Sequence, residues 1–279
     1  MKIVRAWKSV FNYWGVSGSP PLSQKMDFTF GIITAGGNDN MLTEIILSIE
    51  KQNIPNYEII IVGDTAIKRN HCIVIAFDES LRSGWITKKK NIITKAAHYE
   101  NIVYLHDYIS FDDVWYEGQL KAGSDYKVRM DKIINLNGER YRDWCIWPHN
   151  ENFMDALIGR DCLIPYTMTH LSKFMYISGA YWIAKKSVMT EFPLNEELSW
   201  AQGEDVVWSK IVRAKYNFNM NPYSSVRIMR PNKDRVFNEP DTCKLIRLNT
   251  IASIRILYCY IHSRYQRVKF RWNYRRQGS

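Results

Sequence analysis

The sequence predicts an α/β fold built on a mostly parallel, doubly wound central sheet. Three observations carry that expectation. Short apolar runs bounded by turn residues alternate with segments of helical periodicity through the first half of the chain. The runs are continuous rather than alternating, as in strands covered on both faces. One of them, Asn101–Leu105, ends abruptly in imidazole and acid at His106 and Asp107. In open α/β sheets ligands gather beyond the carboxyl ends of the strands, so these side chains are expected to face a crevice.

In chain order, residues 1–25 form a basic, aromatic segment closing on Ser17-Gly18-Ser19-Pro20-Pro21, a linker or turn. Phe28–Thr34 reads as a buried strand and Ala35-Gly36-Gly37 as a tight loop. Asn40–Gln52 reads as a helix, because Met41, Leu42, Ile45, Ile46 and Ile49 recur at helical spacing. Tyr57–Gly63 and Cys72–Phe77 are the next strands, Ile86–His98 a second helix and Asn101–Leu105 a fourth strand. The second half is less regular, with β structure expected over Tyr126–Leu136, a strand after Ser178-Gly179-Ala180, and a helix over Glu204–Lys215. The main domain is expected over residues 26–240, followed by a basic C-terminal helical extension at 241–279.

Composition excludes several classes. A chain of 279 residues that is 46% hydrophobic and 24% charged is an ordinary globular protein with a sizeable core. Its five cysteines, Cys72, Cys145, Cys162, Cys243 and Cys259, lack CxxC spacing, which argues against a disulfide framework or a structural zinc site and for a reducing compartment. No secretory leader pattern opens the chain. The longest apolar run, Ile251–Ile261, is too short to span a bilayer and is interrupted by Arg255. A cytoplasmic location is therefore expected. The net charge of +10 owes much to the stretch from Lys244 onward, where Arg247, Arg255, Arg264, Arg267, Lys269, Arg271, Arg275 and Arg276 are interleaved with aromatic rings. That mixture suits the anionic inner face of a membrane, and equally a packed helix with a solvated tail; no RNA-binding motif accompanies it.

Four motifs carry a resemblance. Leu47-Ser48-Ile49 with Gln52, then Tyr57–Gly63 and Asp64, form the first. Gly84 with Lys88-Lys89-Lys90-Asn91 is the second, Tyr104-Leu105-His106-Asp107-Tyr108 the third, and Trp200 with Gly203-Glu204-Asp205 the fourth. In order and spacing the chain resembles glycosyltransferases of the GT-A (Rossmann-like) fold, family 2-like, of the bacterial polysaccharide and O-antigen type, over about residues 28–215. The resemblance implies a nucleotide-sugar donor, uridine-linked, a hexose (galactose is the guess), and a saccharide or lipid-linked glycan acceptor. It implies donor contacts from Thr34, Ala35, Gly36, Asp64, Lys88, Asn91 and His106. It also implies a divalent metal, Mn2+ or Mg2+, on Asp107 and His106, with Asp205 as catalytic base and Glu204 orienting the acceptor or its loop. Acceptor contacts are expected from Trp182, Trp200 and Gly179.

The chemistry explains these residue types. Breaking the bond from an anomeric carbon to a diphosphate leaves negative charge on the leaving group, which a cation must stabilise. The attacking hydroxyl must lose its proton, which an inverting enzyme passes to a carboxylate. The departure from the Asp-X-Asp pattern at His106-Asp107-Tyr108 leaves Asp112 or Asp113 as alternative carboxylates and leaves metal-independent action open. Trp144, Trp147, His149 and His170 are further acceptor-site candidates. The competing readings are a retaining transferase, a sugar-phosphate nucleotidyltransferase, a glycoside hydrolase, and a non-catalytic nucleotide- or surface-binding module.

Overall fold

The computed structural model describes residues 25–146, 163–169, 172 and 175–231. The N-terminal segment 1–24, the basic tail from 232 onward, and the candidates Trp147, His149 and His170 lie outside the described residues.

The four apolar runs form the strands expected of them: β1 (Phe28–Ile33), β2 (Tyr57–Val62), β3 (Cys72–Ile75) and β4 (Asn101–His106). Every residue of β1 is buried, as a continuous apolar run requires. The helices α1 (Asp39–Glu50) and α2 (Ile86–Ala96) cross over between parallel strands, α1 burying Leu42, Ile45, Ile46 and Ile49. Further along the chain come β5 (Ile109–Phe111), α3 (Trp115–Ala122), β6 (Val128–Ile134), β7 (Cys145–Ile146) and β8 (Met175–Tyr176). They are followed by β9 (Tyr181–Lys185), α4 (Lys186–Glu191), α5 (Glu204–Arg213) and β10 (Phe218–Ile228).

The expectation of a mostly parallel sheet is corrected. The main sheet has eight strands in the order β3-β2-β1-β4-β9-β6-β10-β5 and is mixed. The block β3-β2-β1-β4 is parallel, and so is β6 with β10; β9 runs antiparallel to both β4 and β6, and β5 antiparallel to β10. The sheet is also curled. Only Asp107 and Tyr108 separate β4 from β5, a reach of roughly 11 Å, whereas four strand spacings across a flat sheet would be roughly 19 Å. The sheet must therefore fold back so that its eighth strand returns beside its fourth. β10 assists with a register shift between Asn221 and Ser225.

The curl encloses an aromatic core in which Phe30 meets Phe111 edge-on at 5.2 Å and Phe111 meets Trp115 at 5.0 Å. Within it sits the fully buried carboxylate of Asp131. It accepts hydrogen bonds from Trp115 Nε1 (2.8 Å), Gln119 Nε2 (2.7 Å), Asn221 Nδ2 (2.9 Å) and the Tyr181 hydroxyl. Burial raises the Asp131 pKa, and these donors oppose the rise. The equally buried Arg129 donates to Gln119 Oε1 and to the Gly123 carbonyl. One polar cluster thus ties β6, α3, β9 and β10 together.

Among the described residues no helix is long and apolar enough to cross a membrane. Asp131→Ala should lower stability by about 3–5 kcal/mol, because it leaves four buried donors without their common acceptor. A urea midpoint equal to that of the parent chain would contradict the role given to this carboxylate.

Candidate functional site

The parallel register decides where the site forms. Ile33 of β1 is level with Val62 of β2 and with His106 of β4, so the residues that follow, Thr34, Gly63 and Asp107, emerge in one row at the carboxyl edge. There the Asp107 Oδ2 accepts hydrogen bonds from the Thr34 hydroxyl (2.7 Å) and from Asn38 Nδ2 (2.8 Å). The Gly36 amide donates back to the Thr34 hydroxyl (3.0 Å). Asp64 is exposed and lies against Gly36, where an added Cβ would come within 3.3 Å of the Asp64 Cβ. Asp39 accepts from the Thr65 hydroxyl and the Ala66 amide, which fixes the end of β2 to the start of α1. Thr34, Ala35, Gly36 and Asp64 form an open shelf.

Beside the shelf lies a cavity of about 470 Å³. The start of α5 brings Glu204 and Asp205 to its wall, the end of β4 brings His106, and Trp200, 64% exposed, stands at its mouth. Asp205 is half-buried and held by two backbone donors, Gly179 N–H (2.8 Å) and Val206 N–H (2.8 Å). Ser209 of the same helix accepts the Ile177 amide (3.1 Å), so α5 is docked against the strand leading to Gly179. Glycine at 179 permits this close approach, since a Cβ would lie 3.1 Å from both the Asp205 and Glu204 carboxylates. Burial, followed by the Asp205 charge, raises the Glu204 pKa, while Lys90 and Arg142 oppose it.

The three lysines of α2 diverge, as successive helical residues must. Lys88 turns away from the cavity to Glu196 (2.7 Å), and Asn91 on the same face brackets Leu194 and Glu196. Both therefore hold the segment that runs on to Trp200. Lys89 donates to the Thr34 carbonyl (2.7 Å) and pairs with Glu79. Lys90 is 1% exposed; it donates to the Gly179 carbonyl (2.8 Å) and sits 4.3 Å from the centre of the Trp182 ring. Burial depresses the Lys90 pKa to about 8, with Glu204 and Asp205 pulling the other way. Burial also holds the His106 imidazole well below its ordinary range, reinforced by the charges of Lys90 and Arg230.

The structure thus brings Asp205, Glu204, His106, Gly179 and Trp200 to one cavity, and Thr34, Ala35, Gly36, Asp64 and Asp107 to the adjoining shelf. Trp182 is placed in the core, 1% exposed and stacked on Tyr104 at 4.9 Å. Trp144 is fully buried and donates to the Met130 carbonyl. Arg142 and Arg230, which also line the cavity, carry no sequence motif. The signal that could have found Arg230 is Tyr108, a neutral ring that departs from the Asp-X-Asp pattern.

The same fold occurs in solved structures. S. aureus TarS 1–349 in complex with UDP-GlcNAc matches over 76% of this chain and 62% of its own, with 15% identity and a TM-score of 0.51. GalNAc-T7 with UDP, GalNAc and Mn2+ matches over 77% of this chain and 45% of its own, with 14% identity and a TM-score of 0.51. At this level of identity the likeness is one of fold. This chain spans less than two thirds of either structure, no protein-family model matches it, and no curated protein matches it.

The metal expected from the resemblance is tested by its donors. A hard divalent cation needs oxygen ligands that converge. Asp107 is 8% exposed and bound toward Thr34 and Asn38, while His106 faces the cavity within the field of Lys90 and Arg230. Tyr108 offers no carboxylate, and among the described residues no three His, Cys, Asp or Glu side chains gather as a ligand set. The donors at this position do not fit a divalent ion.

Gly179→Ala should destabilise the chain by about 1–3 kcal/mol, because the new methyl displaces both carboxylates and strains the Gly179–Asp205 hydrogen bond. Thermal unfolding reads the change, and an unaltered Tm would show that the close approach is dispensable.

Proposed function

We propose that this chain is a glycosyltransferase that moves a hexose from a uridine-linked nucleoside diphosphate sugar to a hydroxyl of a saccharide acceptor, free or lipid-linked, with inversion. The observation that carries the reading is the Asp205 carboxylate, half-buried and oriented by two backbone N–H groups on the wall of a cavity at the carboxyl edge of the sheet. The shared fold with structures holding UDP and UDP-GlcNAc supports the uridine donor.

In this reading the exposed shelf of Thr34, Ala35, Gly36 and Asp64 receives the nucleoside, with the Asp64 carboxylate accepting hydrogen bonds from base or ribose. The diphosphate then extends toward His106, and the sugar lies over Gly179. The acceptor stacks an apolar face on Trp200 and presents its hydroxyl to Asp205. The hydroxyl oxygen forms a bond to the anomeric carbon from the side opposite the leaving group, and its proton passes to Asp205. The anomeric carbon–oxygen bond breaks at the same time, and its electron pair leaves with the diphosphate. Glu204, buried and with a raised pKa, lies within the fields of both Asp205 and Lys90 and orients the base. The divalent ion expected on Asp107 and His106 has no step here, because its donors do not converge.

Incubating the full chain with UDP-galactose, UDP-glucose and their N-acetyl counterparts tests the reading by slow donor hydrolysis, and the panel reads the hexose. Binding of none of them would end it. Asp205→Asn should lower transfer by about 10²- to 10⁴-fold, while UDP affinity changes by less than about twofold. An equal loss in both would make Asp205 a binding residue instead.

Lys90 generates a pH dependence. Below about 8 its ammonium adds positive charge beneath Gly179, and above that value the charge is lost. UDP-sugar affinity should therefore fall as the pH rises through about 8, and Lys90→Met should flatten that step. Calorimetric titration at pH values either side of it measures both, and a step retained in the variant would assign the titration to another group.

A further inference from the structure

Resting on that reading, the geometry points to a donor diphosphate that is received without a metal ion, by the Arg230 guanidinium stacked on Tyr108 beside the expected metal ligands His106 and Asp107.

The curl of the sheet creates this arrangement. β10 pairs antiparallel with β5, Ile228 level with Ile109, and the Met229 amide then donates to the Tyr108 carbonyl (2.9 Å). The next residue, Arg230, leaves the sheet directly over the β4–β5 turn. Its guanidinium carbon lies 3.6 Å from the centre of the Tyr108 ring. A guanidinium stacked on a ring keeps its N–H edge available in the plane, which suits bidentate recognition of phosphate oxygens.

Three further observations agree. Arg230 is exposed, lines the same cavity as Glu204 and Asp205, and among the described residues no carboxylate pairs with it. Arg142 lines that cavity too, adding a second guanidinium to the wall. Tyr108, as a neutral ring, does not compensate the Arg230 charge, whereas an aspartate there would neutralise it. The negative charge that develops on the diphosphate as the anomeric bond breaks can then be met by fixed N–H donors instead of a bound cation.

The test is calorimetric titration of the full chain with UDP and with UMP, in EDTA and in Mn2+. UDP should bind in EDTA with an affinity within about threefold of that in Mn2+. Arg230→Ala should weaken UDP by about 10- to 100-fold and UMP much less, and Arg230→Lys should recover only part of the loss. Circular dichroism and thermal unfolding of the variants should match the parent chain, since Arg230 lies on the surface. UDP binding that appears only with Mn2+, or an Arg230→Ala variant with unchanged UDP affinity, would overturn the inference while leaving the transferase reading intact. Failure of every nucleotide diphosphate to bind in both conditions would remove the transferase reading, and the inference with it.

Discussion

The backbone of Gly179 joins the three elements on which the site depends. Its amide donates to Asp205 at the start of α5, its carbonyl accepts the Lys90 ammonium from α2, and the carbonyl of the following residue, Ala180, accepts the His106 amide at the end of β4. The spacing between the acid, the buried cation and the imidazole is thus set by backbone atoms rather than by long, mobile side chains. Lys90 beneath the pair lowers the cost of placing Glu204 next to Asp205, and burial of Glu204 raises the cost again. The site is a compensated cluster, in which removing one charge shifts the protonation of its neighbours.

The parallel half of the sheet was legible because its chemistry is simple. β1, β2 and β4 are apolar runs buried on both faces, and the loops that leave them turn at one edge; that Thr34, Asp64 and Asp107 serve one site there is what the resemblance implied. The second half was not legible in the same way. Tyr181–Lys185 reads as a strand, but an apolar run carries no sign of direction, and β9 lies antiparallel between β4 and β6. In β10 the pattern is broken by Asn221 and Ser224, both fully buried, which are there to satisfy Asp131, Trp115 and one another. A polar residue in a strand signals solvent unless its partner is known, and the partner of Asn221 lies 90 residues away.

The lysines of α2 show the limit from another side. Sequence placed Lys88 and Asn91 at the donor because a basic–amide pair stands there in the resemblance. Helical geometry sends those two to the segment before Trp200 and turns Lys89 and Lys90 toward the sheet edge. Which face of α2 meets the sheet is decided by Ile86, Ile93 and the flanking threonines, and that choice could be read only once the strand beneath the helix was known.

The curl also explains how a guanidinium reaches the cavity. A flat parallel sheet would leave the carboxyl end of β4 flanked by its neighbours in sequence, and the acids there would need a cation from solution. Curling returns β10 to the β4–β5 turn and carries Arg230 onto Tyr108, residues more than a hundred positions apart. His106, held neutral by burial, lines the same cavity as that guanidinium and the carboxylates of α5. The cavity carries this neutral imidazole beside its acidic and basic side chains, and a divalent ion entering at His106 would meet the charges of Lys90 and Arg230.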